Sequence, residues 1–128
     1  MPFDNPNPAP IGDLEILLDA RDRIGRQEQW LQQQFENGDR HCLVAALSLA
    51  CGSPGFFAPN RRERRLARML ARQLPPGATL WTRIKLVSAR RRLMSFNDAR
   101  QTRHDDVIAL VDRAVGHVMD RVPQLVSA

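Results

Sequence analysis

The chain has one lysine (Lys85) against 18 arginines, two cysteines, and no aromatic residues beyond five phenylalanines and two tryptophans among its 128 residues. Two thiols are too few for a disulfide scaffold, and seven glycines without a period exclude a collagen-like chain. So few aromatics argue against the aromatic-studded sheets that bind single-stranded nucleic acid. The longest apolar run, Cys42 to Cys51 broken only by Ser48, is half the roughly 20 residues needed to cross a bilayer. No cationic start followed by an apolar stretch marks a secretory leader. Together with reduced thiols, this points to the cytoplasm. There is no glycine-rich phosphate cradle, nucleophile-elbow serine or dinucleotide fingerprint, so the common nucleotide-using enzymes are excluded. His41, His104 and His117 show neither a one-turn pairing nor a neighbouring set of thiolates and carboxylates. Neither metal nor cofactor is expected.

Hydrophobic residues at 43% and charged residues at 26% are ordinary for a folded globular chain. The length fits one domain able to bury roughly two thirds of the unfolded chain's surface. Four prolines at positions 2, 6, 8 and 10 predict an extended arm over residues 1–10, ahead of a single compact helical domain over 11–128. Asp13 is placed to cap a helix in which Leu14, Leu17, Leu18 and Ile24 share a face. Gly25 then bends the chain into a second helical piece carrying Trp30, Leu31 and Phe35, which Asn37-Gly38 stops.

Asp39 is expected to start a short helix, apolar on every side from Cys42 to Ala50 and therefore central and buried. Phe56 and Phe57 follow in a loop as a hydrophobic lid or, alternatively, a partner contact. Asn60 and Glu63 have capping-box spacing before a helix with Leu66, Met69, Leu70 and Leu74 on its apolar side. Residues 79–87 alternate like a short strand while also fitting a helix. Arg90-Arg91-Arg92 suggests a helix end facing solvent, and Ser95-Phe96-Asn97-Asp98 a turn. Thr102 and Asp105 are spaced to cap a last helix over about 103–122, packed across the central one. Gly116, inside it, implies either a close neighbour or local weakness. The expected fold is mostly α, with four to six helices.

Charge is unevenly distributed. Residues 61–103 hold 13 of the 19 basic groups against two acids, Glu63 and Asp98, a local +11 within a chain of net +5. Arg61, Arg62, Arg64, Arg65, Arg68 and Arg72, with Arg90, Arg91 and Arg92, supply what phosphate contacts require. Arg83, Lys85, Arg100 and Arg103 extend the field. Without a helix-turn-helix pattern, such binding would be directed at the backbone of a nucleic acid, and an acidic protein would use the same arginines. The plainer reading is a solvated arginine face shaped by codon composition.

One catalytic arrangement competes. Cys42 near a helix start, a histidine (His41 or His104) and Asn97 or Asp98 would make a thiol-dependent acyl-transfer set. Against it stands burial, the usual fate of a free cysteine in an apolar helix.

Two segments, Arg40-His41-Cys42-Leu43-Val44-Ala45-Ala46-Leu47 and Arg92-Leu93-Met94-Ser95-Phe96-Asn97-Asp98 with the downstream Thr102, His104, Asp106-Val107 and Leu110-Val111-Asp112-Arg113-Ala114, join Trp30 in a familiar pattern. They resemble a family of small bacterial and phage proteins classed as a domain of unknown function, over most of residues 11–118. Members often carry glycine where this chain has Ala45, a change that keeps the residue small. The resemblance implies a helical domain and a junction between the Cys42 helix and the Asn97-Asp98 segment, which either locks the last helix onto the core or forms the polar part of a pocket. It implies no activity. The expectation is thus a non-enzymatic accessory or regulatory protein meeting an anionic partner through its arginines. The alternatives are a thiol-dependent enzyme and a structural homo-oligomer built on the Phe56-Phe57 loop.

Overall fold

The computed structural model describes residues 9–76 and 87–121. Five helices and one two-stranded hairpin lie within them: α1 (Ala9–Arg23), β1 (Glu36–Asn37), β2 (Arg40–His41), α2 (Leu43–Ala50), α3 (Arg61–Ala71), α4 (Ala89–Asp98) and α5 (His104–Met119). The mostly α expectation holds. Residues 1–8 and most of the stretch expected as a strand lie outside the described residues.

α1 begins at Ala9, inside the segment assigned to an arm, because proline is tolerated in a first helical turn where its missing N–H has no intrahelical partner. Asp13 is not its cap. The buried stripe runs Asp13, Leu17, Ala20 and Ile24, while Leu18 faces solvent. The carboxylate reaches the core side of α1 because Arg65 of α3 meets it with two parallel hydrogen bonds, at 2.6 and 2.7 Å.

After Gly25 comes a single 3₁₀ turn, Gln27–Gln29, rather than a second helix. Trp30 and Leu31 are nonetheless buried. Leu31 N donates to His41 O and Cys42 N to Phe35 O, so the segment lies along the hairpin and not in a helical stripe. In the hairpin Glu36 faces His41 and Asn37 faces Arg40. Gly38 stands at the first turn position with a φ of 63°, a left-handed geometry that glycine adopts freely. Asp39 therefore turns a hairpin, and the residue capping α2 is Cys42, whose Sγ accepts from Ala45 N at 3.3 Å.

α2 is buried along Leu43 to Ser48, and α1, α3 and α4 pack around it. Asn60 caps α3 through a hydrogen bond from Glu63 N to Oδ1 at 2.8 Å. α5 lies principally on α1, with α3 beside it, rather than across α2. Its cap falls one residue later than expected: Asp106 Oδ2 accepts from Arg103 N at 2.9 Å, and Thr102 is buried before the helix starts. A Cβ at Gly116 would meet nothing within 4 Å, so no neighbouring backbone requires glycine there.

Ser95 to Asp98 form the last turn of α4, and Arg90 to Arg92 lie in its first turns. Three cations at a helix start oppose the macrodipole. Ser88 offsets part of that cost by accepting from Arg91 N at 3.3 Å. Two tertiary contacts, from Glu63 and to Asn97, hold the two ends of the helix.

Candidate functional site

Eight of the nine arginines singled out by sequence divide into two kinds. On α3, Glu63, Leu66, Ala67, Leu70 and Ala71 face inward. That places Arg61, Arg68 and Arg72, at spacings of seven and four, on one outward stripe with Arg62 on its flank. All four, like Arg91, are exposed and make no ion pair with another described residue. Arg65, Arg64 and Arg90 are committed internally. Arg65 holds Asp13, and that bond raises its already high pKa. Arg64 forks its Nε and Nη2 onto the carbonyl of Pro59, at 3.2 and 3.0 Å. Arg90 donates from Nε to Glu63 Oε2 at 2.6 Å, donates from Nη2 to Phe56 O, and lies 4.8 Å above the Phe56 ring.

Glu63 is wholly buried, and Ser53 Oγ donates to its other oxygen at 2.6 Å. The one acid in α3 thus faces inward and leaves the outer arginines uncompensated. Sequence treated Glu63 as a capping-box residue. Asn60 N donates instead to Ser53 Oγ, at 3.2 Å, which leaves the Glu63 carboxylate to close on Arg90.

Between α3 and the start of α4 lies a cleft of about 510 Å³, lined by Arg64, Arg68, Arg90 and Arg92.

The second candidate centres on Asn97, which is fully buried. Its Oδ1 accepts from Trp30 Nε1 at 2.7 Å and from Leu43 N at 3.2 Å. Its Nδ2 donates to Leu31 O and to Asp98 Oδ1, both at 2.9 Å. Reversing the amide would set NH₂ against two N–H groups, so the network fixes its orientation. Asp98 Oδ1 also accepts from Gln33 N at 2.7 Å, and Gln32 Nε2 reaches the carbonyls of Asn97 and Ala99, both at 3.0 Å. The expected junction between α2 and the Asn97-Asp98 segment is present. It locks the hairpin arm and the start of α2 onto the end of α4, rather than the last helix onto the core.

A family model described as "Family of unknown function (DUF6197)" matches residues 8–117. The chain belongs to this family. No curated protein and no solved structure matches it. The matched span of the DUF6197 domain takes in both candidate sites, from Trp30 through the arginines of α3 and α4 to Asn97.

The catalytic arrangement is not assembled around Cys42. His104 Nε2 lies 2.6 Å from Ile24 O, and its ring tilts against Trp30 at 5.9 Å. Cys42 is 3% exposed. Burial pushes its thiol pKa up, against the smaller lowering by amides of the α2 start, whereas a nucleophile needs the reverse. Cys51, at the other end of α2, is pushed up to about 12 by burial and by the buried Glu63 carboxylate. His41 Nδ1 is 3.6 Å from Glu36 Oε2 without a hydrogen bond. Among the described residues no group of three or more His, Cys, Asp or Glu side chains is placed to hold a metal ion. Nor is any described helix long and apolar enough to cross a membrane.

Three residues of the sites were missed in sequence. Gln32 carries no local signal and Asp13 reads only as a helix cap, because their partners lie 52 or more residues away in sequence. Phe35 stacks on Phe56 at 3.7 Å, and both meet Phe57 edge-on. The Phe56-Phe57 pair was the half of this cluster that sequence marked.

Proposed function

We propose that this DUF6197 protein is a non-enzymatic accessory protein whose α3–α4 face binds an anionic partner, a nucleic-acid backbone ahead of an acidic protein. The observation that carries this reading is the sorting of charge on α3. Its only carboxylate is wholly buried against Arg90, while Arg61, Arg62, Arg68 and Arg72 stand in solvent without an ion-pair partner among the described residues. Packing does not need four uncompensated guanidiniums, and phosphate contacts do. The free state of both thiols fits a reducing, cytoplasmic setting.

Fluorescence anisotropy of a labelled duplex and a labelled single strand of about 20 nucleotides, titrated between about 50 and about 300 mM salt, tests the reading. Affinity is expected to fall steeply with salt. Changing Arg61, Arg62, Arg68 and Arg72 to Ala should remove up to about 3.6 units of log–log slope, near 0.9 per lost phosphate contact. Arg65 and Arg90 are left intact because they hold the fold. Absence of binding at the lowest salt removes nucleic acid and leaves an acidic protein to be sought by pull-down.

A homo-oligomer is the second reading, favoured by Phe57, which is 82% exposed over Phe35 and Phe56. Light scattering reports a dimer that Phe57→Ser dissolves, or a monomer that ends this reading.

A further inference from the structure

The outward arginines of α3 form an open face, and four arginines, Arg68 among them, also line the cleft between α3 and the start of α4. Arg64 and Arg68 stand one turn apart on α3, and Arg90 and Arg92 enter from α4, with Ser88 between the two sets. The cavity, at about 510 Å³, is within the size range of small-molecule sites.

Two of these side chains are held before any ligand arrives. Arg64 is fixed by the Pro59 carbonyl, a neutral acceptor that sets its fork without cancelling its charge. Arg90 is fixed by Glu63 and by Phe56 O. Among the described residues, neither Nη1 makes a hydrogen bond. The described lining of the cleft includes arginines and no acid, and Glu63, which pairs with Arg90, is wholly buried behind it. Arginines spread over a convex face repel one another little. Arginines drawn to one cavity with a net positive charge favour an anion carrying more than one charge. Guanidinium forks match the oxygens of phosphate in pairs. A phosphate monoester presents three terminal oxygens and close to two charges, whereas a bridging diester presents two oxygens and one charge. Ala67, Val87 and Ala89 give the cleft an apolar wall for the organic part of such a ligand.

We propose that this cleft binds the terminal phosphate of a phosphate monoester, as a nucleotide or as the phosphorylated end of a nucleic-acid strand. The proposal narrows the reading of α3–α4 as an anion-binding surface and rests on it.

The test uses the full chain in a phosphate-free buffer. Three probes are titrated: a single strand of about 20 nucleotides with a 5′-phosphate, the same strand with a 5′-hydroxyl, and adenosine monophosphate. The phosphorylated strand is expected to bind about tenfold more tightly. Arg64→Gln with Arg68→Gln should abolish that difference, with the circular dichroism spectrum unchanged. Arg61→Gln with Arg62→Gln, outside the cleft, should weaken both strands equally and preserve the difference. Adenosine monophosphate competing with the phosphorylated strand identifies a free nucleotide as one source. Failure to compete, with the tenfold difference intact, assigns the site to strand ends. Equal binding of the two strands overturns the cleft and leaves the wider surface standing. Binding of the monophosphate with neither strand bound upholds the cleft and ends the nucleic-acid reading. No binding by any probe overturns both.

Discussion

The indole of Trp30 donates to the side-chain oxygen of Asn97 at 2.7 Å, across 67 residues of sequence. The same oxygen takes the first amide of α2, from Leu43, so one buried side chain sets the hairpin arm and a helix start against the end of α4. Asn97→Ala strands the Trp30 and Leu43 N–H groups and the Leu31 carbonyl. At about 1 to 3 kcal/mol for each buried group left unpaired, a loss of about 3 to 5 kcal/mol is expected in urea unfolding. Asn97→Asp keeps the acceptor but sets a second oxygen against Leu31 O and the Asp98 carboxylate. It should be as damaging at neutral pH and recover partly in acid, where a protonated carboxyl becomes a donor again.

Glu63 and Arg90 form another long-range pair, with 0% and 17% of their side chains exposed. Removing one member leaves the other charge buried, so Glu63→Ala and Arg90→Ala should each cost about 3 to 5 kcal/mol. The double change should cost clearly less than their sum, because it leaves neither charge uncompensated. Additive losses in the denaturation midpoints would mean that the two side chains do not act as a pair.

What sequence reveals here is the part decided by neighbours along the chain. α3 is legible from Asn60 and its leucines, and α2 from an apolar run that can only be interior. Asp39 fails as a cap because hairpin and helix N-cap draw on the same residue types, and pairing of Glu36 with His41 decides between them. Asn97 looks like a turn residue because asparagine often bonds its own backbone. Inside α4 its amide is instead used by Trp30, Leu31 and Leu43, none of which is a sequence neighbour. The arginine field is visible as a count. Which guanidiniums are structural, Arg65 and Arg90, and which are free depends on Asp13 and Glu63, two acids that look like ordinary helix-start residues until the helices pack.

Gly116 lies in the middle of α5 with open space where a Cβ would go. Its backbone is helical, so alanine fits without strain and lowers the entropy of the unfolded chain. Gly116→Ala is expected to stabilise the protein by about 0.5 to 1 kcal/mol, read as a higher urea midpoint with an unchanged slope. A destabilised variant would mean that α5 uses the glycine in a way its surroundings do not reveal.

The two thiols make the fold sensitive to alkali. Both are raised above the ordinary thiol value of 9.0, Cys51 to about 12, chiefly because burial disfavours the thiolate. In the unfolded chain they ionise near pH 9, while in the folded protein they keep their protons. The contribution to stability is therefore complete below about pH 9 and is lost as pH rises above it, for Cys51 toward about 12. Cys51→Ala should flatten the fall of the urea midpoint over that range, and Cys42→Ala, which also removes the α2 cap, should lower stability at neutral pH as well. The same burial predicts that iodoacetamide labels Cys42 in native buffer no faster than the chain opens, and that urea speeds the reaction. Rapid labelling of the folded protein at neutral pH would return Cys42 to the list of reactive thiols, and with it the enzyme reading.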